Sequence, residues 1–146
     1  MIDRETGGLS LADGCLGVGT TPEGARAMGF APAGPPGLLV REAADTRGRA
    51  VLVALRFVDR LVGIELRYAV RRPAEDVRGN PDWEMARKEF HDAILREWLA
   101  SSVHDLLYAP PPQPGPLAWR FPWGGVRSDH DPRGACVELR YADGDQ

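Results

Sequence analysis

A chain of 146 residues with three histidines and two cysteines has few side chains on which to build chemistry. His91 sits in an apolar-striped stretch, but the residue four positions on is Leu95, so the two-histidine face of a zinc-binding helix does not form. His130 lies between Asp129 and Asp131 in the run Ser128-Asp129-His130-Asp131-Pro132-Arg133-Gly134. Adjacent loop residues rarely converge on one ion, and an aspartate there is better used in hydrogen-bonding its own turn backbone. No metal and no cofactor is expected. Cys15 and Cys136, near opposite ends, are too few for a thiolate zinc site or a disulfide framework and read as free thiols.

Nucleophile and phosphate motifs are equally absent. Gly17-Val18-Gly19 and Gly124-Gly125 lack the third glycine or lysine of a phosphate-cradling loop. Ser10, Ser101, Ser102 and Ser128 have no nucleophile-elbow setting, and the carboxylate pairs Glu84/Glu89 and Asp129/Asp131 arise easily by chance. No reaction can be named from these residues.

Charge narrows the partners. Eighteen basic and 21 acidic residues give a net charge of −3, and Lys88 is the only lysine. Arginine favours planar, bidentate contact with carboxylates. The basic doublets Arg71-Arg72 and Arg87-Lys88 stand in an acidic background, which argues against nucleic acid. No apolar run reaches the roughly 20 residues of a membrane span. The opening Met1-Ile2-Asp3-Arg4-Glu5 has neither the basic nor the apolar region of a secretory signal, so a cytoplasmic protein without membrane contact is expected.

Protein interfaces concentrate energy in aromatics and arginine, with charges fixing register. The stretch 119–133 is the richest such unit. From it, Trp123, Arg127, Asp129, His130, Asp131 and Arg133 are taken as candidate partner-binding residues, with Trp119 and Phe121 assigned to the core. Asp129 and Asp131 would meet basic residues of the partner, and Trp123, beside Gly124-Gly125, would stand at the rim.

These residues need a scaffold, and apolar periodicity supplies one. Leu9–Val18 reads as a short hairpin around Ala12-Asp13-Gly14. Thr20, Pro22 and Glu23 open a short helix that Gly29 ends. Leu38–Arg41 is a strand, followed by a turn at Asp45-Thr46-Arg47-Gly48. Val51, Val53, Leu55 and Phe57 alternate, as do Val62, Ile64, Leu66, Tyr68 and Val70, giving a hairpin with one wet face. Trp83, Ala86, Phe90, Ile94 and Trp98 form the stripe of a long helix over 81–103. Residues 109–116 are a proline-rich spacer, 117–123 a strand, 128–134 a loop, and Val137, Leu139 and Tyr141 close the last hairpin. The expected fold is a single α+β domain over 1–146. It consists of one antiparallel sheet of about five main strands, one short helix and one long helix packed on a face.

The run Leu16-Gly17-Val18-Gly19-Thr20-Thr21-Pro22-Glu23 into Met28-Gly29, with the hairpin Leu55–Leu66, resembles the module of small bacterial BamE-like and beta-lactamase-inhibitor-protein-like domains. Trp123–Arg133 leading to Val137–Tyr141 resembles small bacterial toxin-immunity proteins. The resemblance implies binding to proteins rather than catalysis, most concretely an immunity protein neutralising a cognate bacterial toxin. A ligand-binding or scaffold module of another assembly, and an enzyme of unrecognised type, stand as the alternatives.

Overall fold

Val51, Val53, Leu55 and Phe57 are all buried while Leu52 is 41% exposed, so the alternation of this strand has a dry side and a wet side. That alternation organises the molecule, whose computed structural model describes residues 2–68, 118–131 and 134–142, with backbone alone at 129–131 and 134–135. Nine strands and one helix make up the described chain: β1 Leu9–Leu11, β2 Gly14–Leu16, α1 Pro22–Ala27, β3 Ala31–Pro32, β4 Leu38–Ala44, β5 Ala50–Phe57, β6 Leu61–Tyr68, β7 Ala118–Phe121, β8 Gly124–Asp131 and β9 Gly134–Tyr141. β1 and β2 form a two-stranded sheet, and the other seven form one sheet in the order β3-β4-β5-β6-β9-β8-β7, every neighbour antiparallel. Two meanders, β3 to β6 and β7 to β9, are thus joined edge to edge by the pairing of β6 with β9.

The expected α+β fold with about five strands gives way to a mainly β architecture. α1 is the one helix among the described residues, and the stretch expected as the long Trp83–Trp98 helix lies outside them. The extra strands come from segments whose polarity disguises them. Residues 128–131, expected as loop, continue β8, because the pairing with β9 runs unbroken from Gly124 opposite Tyr141 to Asp131 opposite Gly134. β4 likewise runs past Arg41 to Ala44, each residue paired with β5.

Several local expectations hold with small shifts. Thr21, rather than Thr20, caps α1 by accepting a hydrogen bond from the Gly24 N–H at 3.0 Å, and Thr20 Oγ1 instead accepts from Gly17. Gly29, at φ 96°, ends that helix. In β6 the inward residue at the start is Leu61, not Val62: a register shift at Arg56/Phe57 pairs Phe57 with Leu61 and leaves Val62 as the bulged residue.

The core lies on one face of the large sheet. Leu39 of β4, the inward residues of β5 and β6, Val126 of β8 and Val137 and Leu139 of β9 pack with Ile2, Leu9, Leu11, Leu16, Ala25 and Phe30 of the N-terminal segment, hairpin and helix. The hairpin is tied down where the Ala12 N–H donates to Ala44 O at 3.0 Å and Leu11 bridges Asp45. No helix among the described residues is long and apolar enough to cross a membrane.

Candidate functional site

The described sequence-derived candidates are strung along β8 and the turn before it. Trp123 sits in the β7–β8 turn on the core side, half-buried, its ring stacked on Phe121 at 5.2 Å and tilted against Tyr141 at 5.7 Å. Its indole N–H donates to Arg4 O at 2.8 Å, and the Tyr141 hydroxyl donates to Gly7 O at 2.7 Å. These aromatics clamp the N-terminal segment to the sheet, which satisfies their polar ends in place. Arg127 is exposed on the opposite face of β8. Asp129, His130 and Asp131 lie toward the far end of that strand, opposite Cys136, Ala135 and Gly134, and Arg133 is outside the described residues. At about 3.3 Å per residue the two ends of β8 stand roughly 23 Å apart. Trp119 and Phe121 are half-buried against the core, as expected.

Register assembles a different set. Residues directly opposite on neighbouring strands share a face. Leu38 pairs with Arg56, Arg56 with Gly63, Gly63 with Arg140, Arg140 with Gly125, and Gly125 with Arg120. On the face away from the core, a line crossing β5, β6, β9, β8 and β7 therefore reads Arg56-Gly63-Arg140-Gly125-Arg120. With strands about 4.8 Å apart, its arginines are spaced by roughly 10 Å. All three are exposed. Arg140 is ion-paired with Glu138 on its own strand through a side chain that is still 71% exposed. Among the described residues, Arg56 and Arg120 make no ion pair.

One residue pair along the strands, a second line reads Ala54-Glu65-Glu138-Arg127. Glu65 is held by Arg67 at 2.7 Å. Beyond Glu65 and Glu138, Cys136 stands opposite Arg67, half-buried, its thiol pushed up to about 12 by burial and by the Glu65 carboxylate. So protonated a thiol is no nucleophile. Both cysteines are free.

A shallow groove of about 450 Å³ runs over this face, with Arg56, Gly63 and Arg140 in it, Leu38, Val58 and Val62 on one flank and Glu138 on the other. Gly63 opens the groove: a mid-strand position without a side chain leaves a gap between Arg56 and Arg140, and a Cβ there would stand 3.1 Å from Leu139 O. Chemically, the arrangement offers fixed guanidinium forks beside apolar surface, which suits planar anions carried on a larger body. A mid-strand glycine facing an arginine on the next strand is the one signal that reading the sequence for catalytic motifs passes over. The chain matches no protein-family model, no curated protein and no solved structure.

Proposed function

We propose that this chain is a non-catalytic protein-binding inhibitor acting through the face of its large sheet that points away from the core, its partner a bacterial toxin met in the cytoplasm. The observation that carries the binding part of this reading is the arginine line across this face, whose Arg56 and Arg140 also line the groove. Arg56 and Arg120 are exposed with no ion pair among the described residues, on a hydrogen-bonded sheet that sets their spacing. Arginine is among the residues that dominate interface energies, and rigid presentation lowers the entropy lost on association. The toxin as partner follows from the resemblance of 123–141 to immunity proteins.

Co-expression with the product of the gene immediately upstream tests the proposal. A stable complex on gel filtration, together with relief of growth arrest caused by that product, is the expected result. Arg56→Glu should weaken the complex by at least about tenfold, equivalent to ~1.4 kcal/mol. No complex, or an upstream product without toxicity, overturns it.

A further inference from the structure

We infer that the Arg56–Arg140–Arg120 line is a track for a row of carboxylates on one acidic α-helix of the partner protein, an inference that rests on the protein-binding reading above. The geometry is periodic in a way that singles out its occupant. Arginines on alternate strands recur at roughly 10 Å and the line spans roughly 19 Å. A helix rises about 1.5 Å per residue, so carboxylates seven residues apart stand about 10.5 Å from one another on one face. Three such carboxylates, laid across the strands, meet three guanidinium forks. Gly63 and Gly125 fall between the contacts, where the intervening turns of a helix need room.

The neighbouring line favours a narrow row of acids over a broader polyanion. Glu65 and Glu138 lie one residue pair, about 7 Å, behind the arginines. A nucleic-acid duplex, charged across its whole width, would carry phosphates over those carboxylates. A single row of acids on a helix stays clear of them. Leu38, Val58 and Val62 adjoin the Arg56 end, and Val58 is 67% exposed. Apolar surface at that end accepts an apolar side chain next to the first carboxylate.

The test uses the full chain and fluorescent helical peptides. One carries glutamates at i, i+7 and i+14, and a second has the same composition with the glutamates moved off that face. Duplex and single-stranded DNA of matched charge serve as competitors. The in-register peptide should bind at least about tenfold tighter than the shifted one, and its affinity should fall as salt rises. Arg56→Ala with Arg120→Ala, both exposed, should erase the preference without altering the melting temperature, and lysine at the same positions should restore charge but only part of the affinity. Equal binding of the two peptides, preference for DNA, or an undiminished preference in the double alanine variant overturns the inference. If the peptides fail while the complex with the upstream gene product forms, the partner is held in another way and the protein-binding reading stands. If both fail, both are wrong.

Discussion

Tyr68 donates its hydroxyl proton to Asp45 Oδ2 at 3.0 Å, which fastens the end of β6 to the turn between β4 and β5. Asp45 is only 2% exposed, yet nothing about its carboxylate is left unsatisfied. Arg49 Nε reaches Oδ2 at 2.7 Å, while the backbone N–H groups of Arg47 and Arg49 donate to Oδ1 at 2.9 Å each. The turn itself closes through Gly48 N–H to Asp45 O, with Gly48 at φ 79°. One aspartate thus joins two strands of the sheet and, through its bridge to Leu11, the N-terminal hairpin.

The acid behaviour of the protein follows. Burial pushes the Asp45 carboxyl up, but the donors from Arg49, Tyr68 and Arg47 outweigh it and hold the group below its ordinary 3.8. A carboxylate depressed on folding stabilises the fold fully above its unfolded value, and that contribution fades as pH falls from there through the folded value. Asp45→Asn should cost about 2–4 kcal/mol near neutrality, because Arg49 and Tyr68 lose an ionic acceptor in a buried site. Urea midpoints of the two proteins should converge as pH drops below about 4. A constant gap across that range would remove Asp45 from the acid response.

The clamp on the N-terminal segment predicts a steric result. Gly7 has φ 75°, and a Cβ there would lie 2.5 Å from two carbons of the Trp123 ring. Gly7→Ala should destabilise by about 2–4 kcal/mol, combining backbone strain with overpacking. Trp123→Leu in the same chain should recover part of that loss, a coupling that separates the clash from the strain. Melting temperatures of the two single variants and the double variant decide it; strict additivity would mean that the ring does not oppose residue 7.

Thiol chemistry distinguishes the two cysteines. Cys15 is exposed, whereas Cys136 is half-buried, and burial pushes its thiol up to about 12. A disulfide reagent near pH 8 should label one thiol per folded chain within minutes and the second only on unfolding. Peptide mapping should place the first label on Cys15; rapid modification of Cys136 would show that its strand opens readily.

How much of this could be read in advance depended on whether a residue's role was local. The β5–β6 hairpin was plain, since Val51 to Phe57 and Ile64 to Tyr68 carry their burial as strict alternation. Val62 misled because a bulge resets the alternation, and bulges leave no mark in apolar spacing. β8 was hidden by composition. Ser128 is a buried polar residue at 3% exposure, in a run rich in aspartate whose strand character comes from pairing with β9. The arginine line was invisible for a stronger reason. Arg56, Arg120 and Arg140 become neighbours only through the β6–β9 and β7–β8–β9 registers, and such long-range pairing is not encoded in any window of the chain.

Beside that line, Glu65 and Glu138 face each other directly across β6 and β9. Like charges in this position work against the sheet. Arg67 holds Glu65 through a half-buried pair, and Arg140 holds Glu138 through a largely exposed one. The two guanidiniums are therefore not equivalent. Arg67→Gln should cost about 1 kcal/mol, and more at low ionic strength, where the bare repulsion is least screened. Glu138→Gln removes the repulsion along with a weak surface pair, so its net effect should stay within about 0.5 kcal/mol of the parent. Adding Glu138→Gln to Arg67→Gln should then restore most of the loss. Urea unfolding of the three variants at low and high salt measures each step. If Arg67→Gln showed no salt dependence, or the second substitution only added to its cost, the opposed carboxylates would not be what Arg67 offsets.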